Sequence, residues 1–291
     1  MSIDLLQDKI RKTKNPTVVN MFALQEHIPA HIAEVAGDFV QARQIYFVEL
    51  LETLKELAPA VRFSYPVFSL AGSAGLDSLT ALTQRAKDLG YYVLLDGVEA
   101  LSPTEAEYNA QCFMGPQCPF VFDALVMPAY IGSDGIKPYL TLMKDTGKDL
   151  FVVVRTGNRT AGELQDLLTG TRLMHMAAAD IVDRFTKPLM TKCAYSQLAM
   201  VGGASSASSL RSLREKYKDA FILVDGCDYS NANAKNCAAA FDQLGHGAAV
   251  CAGLSVVAAW KEEGSEADEQ VAAAEAVKRL KKNLQRYITV L

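Results

Sequence analysis

Tyr91-Tyr-Val-Leu-Leu-Asp-Gly-Val-Glu-Ala-Leu-Ser-Pro-Thr104 is the stretch whose reading decides the fold. Tyr91 to Leu95 is an unbroken apolar run rich in β-formers, and it stops at Asp96, where a glycine-containing loop begins. A run apolar at every position, rather than at alternate ones, reads as a parallel strand covered on both faces. In an α/β barrel the carboxyl ends of such strands carry the chemistry. Asp96 therefore marks a candidate site.

Similar runs recur on both sides of this one. Strands are expected at Thr17–Phe22, Ala60–Phe68, Tyr91–Asp96, Phe122–Met127, Leu150–Arg155, Leu198–Gly203, Phe221–Asp225 and Ala248–Ala252. Between and after them lie segments of helical period: Phe39–Leu57, Leu76–Leu89, Gly135–Lys144, Ala161–Leu168, Arg172–Phe185, Ser206–Lys216, Asn231–Leu244 and Glu266–Ile288. Alternation of this kind, with no antiparallel block, predicts an α/β fold: a (β/α)8 TIM barrel with added N-terminal and C-terminal helices. A doubly wound sheet would want a glycine-rich loop after the first strand, and Val19-Asn-Met-Phe-Ala-Leu-Gln has none. No Pro/Gly/Ser linker interrupts the pattern, so residues 1–291 read as one barrel domain. Local signals mark the helix ends. Ser2 is a cap for the first helix, Ser73 opens the helix near Leu76, Thr160 with Glu163 forms a capping box, and Gly90 closes the helix ending at Leu89.

Composition narrows the function classes. The chain has 291 residues, of which 50% are hydrophobic, and a formal net charge of -4. Mean hydropathy is +0.08 and the isoelectric point is about 5.7. This is no footprint for nucleic acid. The basic residues Lys278, Arg279, Lys281 and Lys282 read as a solvated helix face. No apolar run approaches the roughly 20 residues of a membrane span, and the N-terminus lacks the pattern of a secretory leader. The six scattered cysteines (112, 118, 193, 227, 237, 251) then read as reduced thiols, implying a cytoplasmic location. No metal site is expected. Cys112 and Cys118 have irregular spacing, and Pro29 separates His27 from His31.

With the strands placed, particular phrases stand out. Lys14-Asn-Pro-Thr-Val-Val, Phe151-Val-Val-Val-Arg-Thr-Gly-Asn, Gln165-Asp-Leu, Val201-Gly-Gly-Ala-Ser and Lys261-Glu-Glu-Gly-Ser occur in that order. Met127-Pro-Ala-Tyr-Ile-Gly-Ser-Asp134 lies among them. These resemble the orotidine 5'-monophosphate decarboxylase family in its longer bacterial type, nearly end to end. The resemblance implies a dimeric (β/α)8 barrel that removes CO2 from a nucleotide without any cofactor. Such chemistry needs a lysine to protonate the carbon that loses CO2. It also needs carboxylates around that lysine and a remote grip on the phosphate.

Set against the family pattern, the chain differs at its ligand positions. Where the family has Asp-x-Lys-x-x-Asp, this sequence reads Asp96-Gly-Val-Glu-Ala-Leu101, and no lysine occurs between Lys87 and Lys137. The strand-one aspartate is replaced in Asn20-Met-Phe, and the strand-two lysine matches Arg62. The family's Thr-Ser-Asn becomes Thr156-Gly-Asn158. The phosphate loop becomes Asp225-Gly-Cys-Asp228, and the phosphate arginine becomes Leu254. The expectation is a family member that does not decarboxylate. It would serve a binding, regulatory or structural role, as a homodimer or as a heterodimer with an active relative. Two alternatives remain at this stage: an active decarboxylase of pyrimidine (UMP) biosynthesis, or a new enzyme in a remodelled pocket.

Candidate catalytic residues are Asp96, Arg62 and Glu99. Candidate residues for a small-molecule ligand are Arg155, Asn158, Asp225, Cys227 and Asp228. Each also has a plainer role. Asp96 can hold loop backbone, Asp225 and Asp228 can cap loops, and Cys227 has no base beside it in sequence. Cys251, on an apolar strand, reads as core, and His175 reads as a residue of a helix outside the barrel.

Overall fold

The computed structural model describes residues 2–228, 233–263 and 268–288. Eight strands form the frame: β1 (Thr17–Met21), β2 (Ala60–Ser64), β3 (Tyr92–Asp96), β4 (Ala124–Pro128), β5 (Asp149–Val153), β6 (Leu198–Gly203), β7 (Ile222–Asp225) and β8 (Ala248–Ala252). Every neighbouring pair is parallel, and the sheet closes on itself as β1–β8–β7–β6–β5–β4–β3–β2. The closing seam pairs Thr17 with Val250, Val18 with Cys251 and Val19 with Ala252. All five residues of β3 are buried, as its continuous apolar run requires. The chain is thus a (β/α)8 barrel, as the alternating pattern predicts.

Helices pack around the outside, and one closes each end of the chain. The first, Ser2–Thr13, buries Ile3, Leu6 and Ile10 beneath the amino ends of the strands. Ser2 is not its cap but its first residue. The Ser2 hydroxyl lies 2.9 Å from the Gly147 carbonyl and 3.2 Å from that of Asp123, pinning the helix to the segments entering β4 and β5. Nearby, the Tyr92 hydroxyl donates to Asp149 Oδ2 at 2.6 Å. Asp149 is fully buried, and burial pushes its carboxyl up to about 7 although the Tyr92 bond works the other way. The last helix, Glu269–Leu284, is capped by Asp268 and buries Ala272, Ala273, Ala276 and Val277. Its expected start at Glu266 lies outside the described residues, as does Asn231, the expected start of the preceding helix. The described part of that helix is Ala234–Ala238.

Local chemistry overrides the apolar pattern in four places. The second strand ends at Ser64, not Phe68, because Pro66 opens the short helix Tyr65–Ser69, where its missing N–H costs nothing. The helix expected over Ala161–Leu168 is a single turn, Gly162–Gln165. The chain then doubles back as a small antiparallel ribbon, Leu168–Thr169 against Arg172–Leu173. Gly170 turns that ribbon with φ +69. Thr160 and Glu163 form no capping box there, since Ala161 is the cap residue and makes no side-chain bond. Ser73 lies inside the helix Gly72–Asp88 rather than before it. Gly90, by contrast, follows that helix with φ +86, as a C-terminal glycine should.

A whole helix, Pro103–Met114, was absent from the helical-period reading. It buries only Ala106, Ala110, Phe113 and Met114, so its apolar stripe is thin. Its start was nevertheless written at the end of the opening stretch. Ser102 accepts from the Glu105 amide at 3.2 Å, Pro103 takes the first turn, and Glu105 reaches back to the Leu101 N–H at 2.6 Å.

Candidate functional site

Barrel closure brings the ends of β2, β3, β7 and β8 around one guanidinium. Arg62, from the middle of β2, donates through Nε and Nη2 to Asp96 Oδ2 at the end of β3. Its Nη1 donates to Asp225 Oδ1 at 3.0 Å and lies 3.7 Å from the Cys251 sulfur of β8. Side-chain exposure is 14% for Arg62 and 11% for Asp96, so the pair is largely out of water. Burial works against the Arg62 charge, but Asp96 and Asp225 outweigh it and hold the guanidinium well above its ordinary pKa. Burial also pushes the Cys251 thiol up, against the pull of Arg62. Asp96 Oδ1 is buried and has no hydrogen-bond partner among the described residues. The site thus contains a fixed cation between two carboxylates, with one carboxylate oxygen unsatisfied.

The remaining candidates gather in other places. Glu99 is exposed, and its carbonyl accepts from Asn109 Nδ2 at 2.6 Å. Together with Val98, Tyr65 and Phe113 it lines a cleft of about 880 Å³ beside the β3 end, whose walls do not include Arg62, Asp96 or Asp225. The cleft exists because Gly97 adopts φ +86, where a Cβ would come within 2.2 Å of Pro66 Cδ. Val98 itself is buried, whereas Leu101 is 83% exposed.

Arg155 and Asn158 belong to a network after β5. Arg155 grips Asp166 with both arms, Nε to Oδ1 at 3.0 Å and Nη2 to Oδ2 at 2.9 Å. That hydrogen bonding holds the Asp166 carboxyl below its usual range. His175 Nδ1 lies 3.2 Å from the same Asp166 Oδ1 and 2.9 Å from the Gln165 carbonyl. Asn158 accepts from the Thr156 hydroxyl and donates to Thr160 Oγ1 at 2.9 Å, so it organises its own loop. The β5 loop sits against β6 because residue 203 is glycine. A Cβ there would lie 2.2 Å from the Thr156 carbonyl.

After β7, Asp228 reaches across to the end of β8. Its Oδ2 accepts from the Gly253 N–H at 2.6 Å, and its Oδ1 accepts from the Ser255 hydroxyl. Cys227 has a partner that local spacing does not reveal. The Cys237 thiol donates to it, which lowers the Cys227 pKa and raises that of Cys237. Among the described residues there is no group of three or more His, Cys, Asp or Glu side chains able to hold a metal ion. Nor is any described helix long and apolar enough to cross a membrane.

Parallel closure and polar residues collected at the strand ends define a (β/α)8 barrel with its candidate site at the carboxyl face. No family model matches the chain. Individual relatives do. It is 28% identical over 267 residues to orotidine 5'-phosphate decarboxylase of Rhodopirellula baltica, covering 89% of this chain and 88% of that one. It is 22% identical over 287 residues to the protein of the same name from Clostridium novyi, covering 98% of each. Among solved structures, Plasmodium berghei orotidine 5'-monophosphate decarboxylase aligns with TM-score 0.74 and 11% identity over 97% of this chain and 99% of that one. Leishmania donovani OMP decarboxylase aligns with TM-score 0.70 and 20% identity over 97% and 98%. Over nearly its whole length the chain is thus similar to orotidine 5'-phosphate decarboxylases, and it shares the barrel fold of the solved ones.

Proposed function

We propose that this chain is a non-decarboxylating member of its family, acting as a binding or regulatory barrel. The observation that carries this reading is the partner of Asp96. Loss of CO2 leaves a carbanion that needs a proton from a nearby acid, and a lysine ammonium can give one up and be reprotonated. No lysine lies between Lys87 and Lys137. The cation bonded to Asp96 is Arg62, a guanidinium that holds its proton more tightly than usual. Such a group stabilises charge but does not act as a proton donor near neutral pH. Val98 and Leu101, aligned with the family lysine and second aspartate, supply no ionisable group.

The alternative is an active decarboxylase, favoured by relatives of that name matching 89% of the chain. One assay separates the two: release of labelled CO2 from orotidine 5'-phosphate by purified protein. The expected result is no release above the buffer rate, and measurable turnover abolished by Arg62→Met would sink the proposal.

A non-catalytic role implies a partner. Leu101, Tyr108 and Tyr130, on the loops after β3 and β4 and the helix between them, are 83%, 69% and 80% exposed. Large apolar side chains this exposed suit a second barrel, either another copy or an active relative. Light scattering should give the mass of two chains, falling to one for Leu101→Asp combined with Tyr108→Asp. A single-chain mass for the unaltered protein, with no relative in pull-downs, would remove the pairing.

A further inference from the structure

The cleft of about 880 Å³ beside the β3 end shares no lining residue with the Arg62 cluster. Three rings form its apolar wall. Tyr65, at the start of the short helix after β2, meets Phe113 edge-on with ring centres 5.3 Å apart, and meets Phe120 at 6.1 Å. The Phe113 and Phe120 planes lie within 20° of each other at 6.3 Å. These contacts hold the wall together without an occupant. Val98 continues the apolar lining. Glu99 is exposed on the same cleft, and its carboxylate bonds to no described residue. The Glu99 main chain is nevertheless fixed, because Asn109 Nδ2 donates to its carbonyl at 2.6 Å. Among the described residues that line the cleft, Glu99 alone carries a formal charge.

We propose that this cleft binds a small organic cation, an ammonium carried on an apolar or aromatic body, with the charge held at Glu99 and the body against the Tyr65, Phe113 and Phe120 wall. Aromatic faces are electron-rich and attract a cation within about 6 Å of the ring centre. Glu99 adds a full negative charge, and no cation of the lining neutralises it. The Lys148 ammonium is not among the lining residues. It donates to the Phe113 carbonyl at 3.4 Å and sits 3.9 Å from the Phe122 ring centre. An anion would face the Glu99 carboxylate with no lining counter-charge, and a neutral apolar molecule would cover the rings but leave the carboxylate unmatched. The site lies apart from the barrel mouth, so the proposal goes beyond the non-decarboxylating reading and does not depend on it.

Phenyltrimethylammonium and benzenesulfonate, alike in ring and opposite in charge, are titrated by calorimetry into the full chain. The cation should bind with one site per chain, and the sulfonate should not bind. Glu99→Gln removes the charge with little change in shape, and Phe120→Leu keeps an apolar side chain while removing a ring. Each should weaken binding of the cation about threefold. Thermal melting checks that both variants fold. If Phe120→Leu does not, Glu99→Gln decides alone, since that position is exposed. No binding of the cation, equal binding of the sulfonate, or an affinity unchanged by Glu99→Gln each overturns the proposal. The CO2-release assay reads the barrel mouth, so its result leaves this one untouched.

Discussion

Arg62 is the residue on which the carboxyl face depends. It neutralises Asp96 and Asp225 from opposite sides of the barrel mouth, and it is 163 residues from Asp225 along the chain. Removing one member of a buried pair leaves charge without a counterion, which typically costs about 3–5 kcal/mol. Arg62→Met should therefore lower the unfolding free energy by roughly that amount in urea titrations, with Asp225 contributing less because its side chain is 32% exposed. Adding Asp96→Asn to Arg62→Met should restore much of the loss, since the stranded charge is then gone. A double variant no more stable than the single one would show that Arg62 acts through packing instead. Sequence reading placed Asp96 at a strand end and Arg62 within the second strand, because strand period and run length are local. It did not reveal their mutual contact, the Asp225 bond or the Cys227–Cys237 pairing, which exist only once the sheet has closed. The same limit applies to Arg155, whose partner Asp166 lies in a one-turn helix beyond an irregular loop.

At the scale of elements, the barrel strands could be read because each is a continuous apolar run and nothing else competes for those residues. The helix Pro103–Met114 could not be read by period, since a thin apolar stripe gives little signal. Its capping chemistry is the stronger evidence, and it is testable. Ser102→Ala should destabilise the protein by about 1 kcal/mol, whereas Ser102→Gly should cost only a few tenths, because glycine tolerates the cap backbone. Denaturant midpoints compare the two directly. Equal losses would mean that the Ser102 bond to Glu105 contributes little and that packing of Phe113 and Met114 holds the helix. The element matters for function because this helix and the loop before it form one wall of the cleft beside Asp96 and carry the exposed Leu101 and Tyr108. Loosening the cap should weaken self-association along with stability.

At the scale of the molecule, the two ends of the barrel hold their charges by opposite means. The carboxyl face pairs its carboxylates with the Arg62 guanidinium. The amino end keeps Asp149 without a cation among the described residues, beneath the first helix and against the Tyr92 hydroxyl. Burial raises the Asp149 pKa to about 7, from the ordinary aspartate value near 3.8. The folded protein therefore binds one more proton than the unfolded chain between those two values. The stabilisation from this proton is complete below about pH 4 and is lost as pH rises through about 7, worth on the order of 4 kcal/mol. The Asp4 and Asp166 carboxyls are lowered in the fold, so they contribute in the opposite sense, with stability lost as pH falls. Asp149→Asn isolates the contribution of the buried carboxyl, because an amide is uncharged at every pH. Relative to the unaltered protein, the variant should be similar near pH 4 and clearly more stable near pH 8. The difference between them should open across the interval from about 4 to 7. A difference that does not change with pH would mean Asp149 is ionised in the fold and satisfied by its neighbours. In that case the amino end would be stabilised by hydrogen bonds to a charge, as the carboxyl face is, rather than by exclusion of one.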